Sequence, residues 1–336
     1  MRRYREGDFV RTPEGLFFGV KGLLHPNHGV IAFLRHVPDQ QGGREKEGIR
    51  YRKIHPLKNK YEYLRKNHPN YLHYSQRLDR EIQTVPIKKI EEVYKPVEQL
   101  AELIKRENRL SILEKSAVKL SEKIMDESQI KMESIGVTGS LLVGLDTRES
   151  DIDLIIYGEE EGRRAYSALR DLRNSDKQIS PYDLENGVRI AKSRWPQANL
   201  QIEKLAMIES EKLLHGTFEN RGFFIKLVKD WKDIRSKYED YTYFNLGRTK
   251  IIGIISDDVN SIFTPCSYGV EESQTLGNKD YDIKKIVSFR GKFPEQAKKG
   301  DKIRAEGRIE KVVHGDGEYL RLILEEPQDY LIPINK

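Results

Sequence analysis

Apolar residues change their spacing three times along this chain, and each change predicts a different kind of structure. Between residues 8 and 37 they fall in short runs (Phe9-Val10, Leu16-Phe17-Phe18-Gly19-Val20, Val30-Ile31-Ala32-Phe33-Leu34), parted by the turns Thr12-Pro13-Glu14-Gly15 and His25-Pro26-Asn27-His28-Gly29. Such runs bounded by Gly, Pro and Asn read as strands. Residues 39–50, with Gln40-Gln41-Gly42-Gly43, read as a polar loop, and a short helix around 58–67 is expected to stop near Pro69. From Val97 to about Gln129 the spacing turns helical: Leu100, Leu103 and Ile104 fit one helix entered at Pro96, and Ile112, Leu113, Ala117, Leu120 and Ile124 share one face of a second. Ile135-Gly136-Val137-Thr138 then reads as a strand, Gly139-Ser140 as a turn, 141–145 as a short helix and 151–157 as another strand. Helix is expected over 161–172 and through the polar stretch 181–214, a strand over 222–228, and an exit from the domain over 231–238.

The last third returns to short apolar stretches. Strands are expected at 249–255, 262–263, 286–289, 302–309 and 319–324, with His314-Gly315-Asp316-Gly317 as a hairpin turn and a strand bending at Gly307. A small barrel of the OB type fits this pattern. Boundaries near 95 and 240 give an α+β protein in three parts: a basic N-terminal α+β domain (1–95), a central domain built on a mixed sheet with helices (96–240), and a C-terminal OB-like β-barrel domain (241–336).

Composition narrows the function classes. Charged residues make up 33% and apolar residues 37% of the 336 residues, and no apolar run nears the length of a bilayer-spanning helix. The basic start Met1-Arg2-Arg3-Tyr4 leads into no apolar stretch, so no secretory signal and no membrane partner are expected. The single cysteine, Cys266, excludes an internal disulfide and a multi-cysteine zinc site, and a cytoplasmic location is the expectation. Cys266 beside Pro265 reads as a buried small residue, and Trp231 as core. The net charge of +6 is uneven: residues 1–95 hold 20 Lys and Arg against 11 Asp and Glu, a surplus of nine. With Tyr51, Tyr61, Tyr63, Tyr71 and Tyr74 interleaved, this third suits RNA or DNA as much as it suits solubility. His25, His28 and His36 lack Cys or carboxylate partners at ligand spacing, so turn and surface roles are expected of them. Arg163 and Arg164 read as a solvated helix face.

One constellation carries chemistry. Asp151 and Asp153 are two apart in an apolar strand, so both carboxylates project to one face. Among Ile152, Leu154, Ile155 and Ile156 such a pair is expensive without a cation between, and Mg²⁺ (or Mn²⁺) with phosphate oxygens is the candidate. Gly139-Ser140, between a strand and a helix start, offers backbone N–H groups and a hydroxyl to phosphate. Gly-Ser, a ten-residue gap and Asp-x-Asp resemble the signature of the DNA polymerase β-like nucleotidyltransferase superfamily. More broadly, the chain resembles an archaeal group of nucleotidyltransferases in its "EGLFF…HP…VIAFLRHVPD" and "SIFTPCSYGVEE" stretches. The resemblance implies transfer of a nucleoside monophosphate from an NTP to a hydroxyl of RNA or protein, releasing pyrophosphate. Asp151 and Asp153 would be catalytic and metal-binding, and Gly139 and Ser140 nucleotide-binding. It also implies a third carboxylate on a later strand. Strand 222–228 holds Lys226 in its middle and no acid; Asp230, just past it, is the candidate metal ligand, with Glu203 and Asp233 as neighbours. Lack of that acid leaves a second reading, a nucleotidyltransferase fold that acts as a nucleic-acid-binding module or nucleotide sensor without turnover.

Overall fold

In the computed structural model, residues 3–106, 109–195, 202–277 and 279–334 are described. They form a mixed α+β protein that divides into two compact units. The first holds Met1–Tyr74, Glu81–Ser180 and Leu214–Arg235; the second holds Ser75–Arg80, Pro181–Leu213 and Ser236–Lys336. This division differs from the three expected parts. The first 74 residues share a unit with the central sheet, and the helical stretch assigned to the central domain belongs with the last hundred residues.

The first unit contains two sheets. The N-terminal one is built from β1 (Phe9–Arg11), β2 (Phe17–Val20), β3 (Gly29–Pro38), β4 (Arg44–Lys46), β5 (Ile49–Lys53), β6 (Leu72–Ser75), β7 (Arg80–Pro86) and β8 (Glu92–Tyr94), with helix α1 (Leu57–Asn67) between β5 and β6. Its main order is β4-β5-β3-β2-β1-β8, with β7 pairing both β3 and β6. The expected loop at 39–50 therefore holds β4 and the start of β5. Its side chains are mostly exposed, so no apolar alternation marked it. Of the interleaved tyrosines, Tyr51 and Tyr71 are fully buried and serve the core rather than a stacking surface.

The second sheet carries the Asp-x-Asp strand one place in from its β9 edge. After helices α2 (Pro96–Lys105) and α3 (Ile112–Ser128) come β9 (Ile135–Val137), the single turn α4 (Gly139–Leu142), β10 (Ile152–Tyr157), α5 (Glu159–Ser175) and β11 (Ile179–Ser180); β12 (His215–Phe218) and β13 (Arg221–Val228) follow later in the chain. The order is β11-β12-β13-β10-β9, β10 lying parallel to β13 and antiparallel to β9. Its apolar run is explained by burial on both faces: Ile152, Leu154, Ile155 and Ile156 are all fully buried, each contributing roughly 1.5–3 kcal/mol. A capping box, Ser111 with Glu114, fixes the start of α3.

The second unit has its own core. Helices α6 (Leu184–Arg194) and α7 (Ile202–Glu211) bury Ala191, Leu205 and Ala206 against Ile251, Ile303, Leu322 and other strand residues. Residues 196–201, within the stretch expected to be helical, lie outside the described residues. Six strands complete the unit: β14 (Tyr241–Asp257), β15 (Cys266–Thr275), β16 (Ile283–Ser288), β17 (Lys302–His314), β18 (Gly317–Ile323) and β19 (Tyr330–Pro333). Pairing runs β14-β15-β16-β18-β17, and β17 pairs back onto β14, so the ladder closes into a ring in which only β16–β18 is parallel. Of the strand expected at 262–263, Ile262 lies in a turn and Phe263 makes a single β-bridge, and β15 stands just after them. Cys266 is buried there and its thiol is pushed up to about 12 by burial.

Candidate active site

Two features of local backbone hold the Asp-x-Asp pair. Thr138 N donates to Asp153 O at 2.9 Å, tying the turn after β9 to β10. Gly139 has φ +69°, and a Cβ there would lie 2.1 Å from Asp153 Oδ2, so only glycine lets the turn pass over the carboxylate. Ser140 Oγ donates to Ser150 Oγ at 3.4 Å. The helix expected at 141–145 is the single turn α4, ending before Val143. One turn sums too few peptide dipoles to attract an anion, so the helix-dipole part of the expected phosphate cradle falls away. The carbonyls beyond that turn are taken by β4: Arg44 donates to Leu145 O, and Lys46 Nζ to Val143 O at 3.1 Å.

Asp151 is exposed at the mouth of β10 and Asp153 is partly buried beside it. Burial first, and then the Asp151 charge, push the Asp153 carboxyl up to about 6; Lys226, Arg35 and Lys53 pull the other way. Both aspartates, with Gly139 and Ser140, line a cleft of about 270 Å³. The structure thus brings four of the five sequence candidates together. Asp230 does not join them: its Oδ2 accepts from Arg5 at 3.0 Å, and its Oδ1 caps the following turn through Trp231 N at 2.7 Å. Asp233 accepts from Glu159 N and Asp230 N, and Glu203 lies on α7 in the other unit. Trp231 is half-buried under the Arg5 guanidinium, 5.1 Å from its ring, rather than core.

Lys226 stands on β13 next but one to Phe224, the residue in register with Asp153. Its ammonium donates to Glu6 Oε1 at 2.7 Å, as does Lys21 at 3.0 Å, while Gly22 N donates to Glu6 Oε2 at 2.8 Å. Burial alone would raise the Glu6 carboxyl; the two ammonium groups override it and hold it at about 2. The segment carrying Glu6 is pinned onto the sheet: Thr138 Oγ1 donates to Gly7 O at 2.8 Å and Tyr157 OH to Glu6 O at 3.0 Å, and a Cβ on Gly7 would lie 2.4 Å from Ile155. Among the described residues no group of three His, Cys, Asp or Glu side chains converges to hold a metal.

The rest of the cleft comes from the N-terminal sheet: Lys21 just past β2, Arg35 and His36 from β3, Lys53 from β5. Sequence reasoning missed these. His36, expected at the surface, is 3% exposed, and its ring is pushed down to about 3 by burial and then by Arg44, Arg35 and Lys53. The signal that could have found the wall was the charge surplus of the first 95 residues. A second cavity, of about 380 Å³, opens on the other side of Asp151, lined by Ile112, Ser116, Arg148, Glu219 and Arg221.

A glycine turn wrapped on the second carboxylate of an Asp-x-Asp strand, on a mixed sheet flanked by helices, is what a nucleotidyltransferase fold leads one to expect, and the nucleotidyltransferase domain family matches residues 118–216. An uncharacterized protein of Methanocaldococcus jannaschii is 32% identical over 331 residues, 96% of this chain and 95% of that protein. The chain belongs with it to an archaeal nucleotidyltransferase family of the polymerase β-like kind. No solved structure matches the chain. No helix among the described residues is long and apolar enough to cross a membrane.

Proposed function

We propose that this protein transfers a nucleoside monophosphate from an NTP to a hydroxyl acceptor and releases pyrophosphate. The observation that carries the reading is the position of Asp151, which borders two cavities, as a site joining two substrates requires. In this reading the triphosphate lies in the smaller cleft beside Gly139 and Ser140, and the acceptor hydroxyl arrives from the second. The acceptor oxygen bonds to the α-phosphorus while its bond to the bridging oxygen breaks, and the hydroxyl proton passes to solvent or a nearby carboxylate. Gly139 leaves the Asp153 carboxylate uncovered, and Ser140 offers a hydroxyl to phosphate. The donor set suits Mg²⁺ or Mn²⁺ carried in with the nucleotide: Asp151 and Asp153 would hold the ion, leaving its other positions to phosphate and water. Such an ion would neutralise charge on the transferring phosphate.

RNA is the acceptor class we favour over a protein hydroxyl. The closed strand order β14-β15-β16-β18-β17 with its single parallel pair supports reading the second unit as an OB-type barrel, a fold suited to single strands. Tyr241 stacks on His314 at 4.5 Å on that ring, and Arg321 lies over Tyr243 at 4.5 Å. A reading without turnover is favoured by one observation: a lysine, already spent on Glu6, stands on β13 where the family's third carboxylate is expected. Incubation with each α-labelled NTP, Mg²⁺ and RNA separates the two. Label should enter RNA and fall at least about a hundredfold in Asp151→Ala, since the metal's carboxylate is lost. Nucleotide that binds but is never incorporated would leave the sensor reading standing.

A further inference from the structure

We infer that the N-terminal sheet is the polyphosphate-binding wall of this site, with Arg35 and Lys53 as the residues that grip the β- and γ-phosphates. The inference rests on reading the cleft as a triphosphate site. Four cations line that cleft, and they divide into two pairs. Lys21 and Lys226 are held by Glu6, both within 3.0 Å of its Oε1. Arg35 and Lys53 form no salt bridge or side-chain hydrogen bond among the described residues. A cation whose donor is buried without a partner is costly unless a ligand completes it.

The geometry shows where that ligand would sit. The Arg35 side chain runs across Gly19, its Nε 3.4 Å from where a Cβ would project, and that Nε is buried without a partner. His36, next on β3, is nearly fully buried and neither ring nitrogen has a hydrogen-bond partner. Two adjacent orphaned donors facing one cleft are what a bound oxyanion would satisfy. Lys53, on β5, comes beside them because β3 and β5 pair antiparallel with His36 in register with Lys53. The field of Asp151 and Asp153 reaches Lys53. Arg35 and Lys53 therefore face the cleft from the N-terminal sheet and Asp151 and Asp153 from the other, the arrangement that suits a phosphate chain carrying a divalent ion on its opposite side. Ser140 alone offers one hydroxyl from a four-residue turn, too little to hold three or four phosphate charges.

Titration calorimetry of the full-length protein with inorganic tripolyphosphate, without metal and at low salt, tests this. Charge-assisted hydrogen bonds of this kind are worth about tenfold to a hundredfold in affinity. Arg35→Gln should weaken binding at least about tenfold, Lys53→Gln severalfold, and the pair nearly multiplicatively. Arg35→Lys should recover part of the loss. Lys58→Gln, on an α1 side chain 80% exposed, removes the same charge away from the cleft and should change nothing. If Arg35→Gln fails to fold, as a melting curve would reveal, the rim residue Lys53 carries the test. Binding within twofold of wild type in both variants overturns the inference. So does a wild-type protein that incorporates labelled nucleotide yet ignores tripolyphosphate, and this leaves the transferase reading intact. A protein that neither binds tripolyphosphate nor transfers label overturns both.

Discussion

At the scale of single residues, the site is governed by close approach. Gly139 combines a positive φ with a Cβ position 2.1 Å from Asp153 Oδ2, so any side chain must displace the carboxylate. Gly139→Ala should therefore cut nucleotidyl transfer by about a hundredfold or more, because a misplacement near 1 Å is enough for that. Its melting temperature should fall only by the few degrees that strain of about 1–3 kcal/mol implies. A variant that keeps its activity would show that the turn does not position Asp153. This residue was legible in the sequence because the Gly-Ser dipeptide and the Asp-x-Asp spacing are local signals. Thr138 was legible only as a strand end, since its partner, the Gly7 carbonyl, lies 131 residues away. Glu6, Arg35 and His36 carry no local signature; charge and burial assign them only once the sheet is folded.

Among elements, the informative contact is between the segment before β1 and the middle of β13. Glu6 is buried at 1% exposure, and its charge is tolerated because Lys21 and Lys226 flank it. Removing one ammonium by Lys226→Met should destabilise the protein by about 1–3 kcal/mol near neutrality, less than a full broken buried pair because Lys21 remains. The pH dependence follows from the lowered Glu6 carboxyl. Its folded-state value of about 2, against an ordinary 4.5, gives stability that is fully present above 4.5 and lost as pH falls toward 2. In Lys226→Met that carboxyl is depressed less, so the gap in denaturation midpoint between variant and wild type should close over the same window. A gap constant from pH 7 to 2.5 would argue that the lysine acts through packing alone. Long apolar elements such as β10 and α3 were readable from period and capping. Strands β4 and β5 were not, because their mostly exposed side chains lack the alternation that marks a half-buried strand; β15 does alternate from Cys266 to Val270, but over only five residues beside Pro265.

For the whole molecule, charge surplus and chain path matter more than any motif. The positive excess of residues 1–95, open in sequence to a nucleic-acid reading, in part faces a cleft lined by two aspartates. The division at residue 240 was drawn from a change of apolar period, which cannot report that α6 and α7 pack with strands that follow them. A chain cut after residue 240 would leave Ala191, Trp195, Leu205 and Ala206 without the strand residues they are buried against. That fragment should be largely insoluble and bind a dye specific for exposed apolar surface, in contrast to the full chain. A well-dispersed, monomeric fragment in size-exclusion chromatography would contradict the assignment of α6 and α7 to the second unit.

The alternation of segments between the two units also sets a schedule for synthesis. As the chain leaves the ribosome, β10 emerges with its carboxylates but must wait for β13, its parallel neighbour some seventy positions downstream. Between them pass two helices whose own apolar faces stay uncovered until the final strands are made. The sheet that carries the two aspartates is thus complete once Val228 is made, while the apolar faces of these two helices still lack the strands that cover them. A nascent chain built this way has reason to be translated without pause over its last hundred codons, or to be shielded by a chaperone until β17 and β18 arrive.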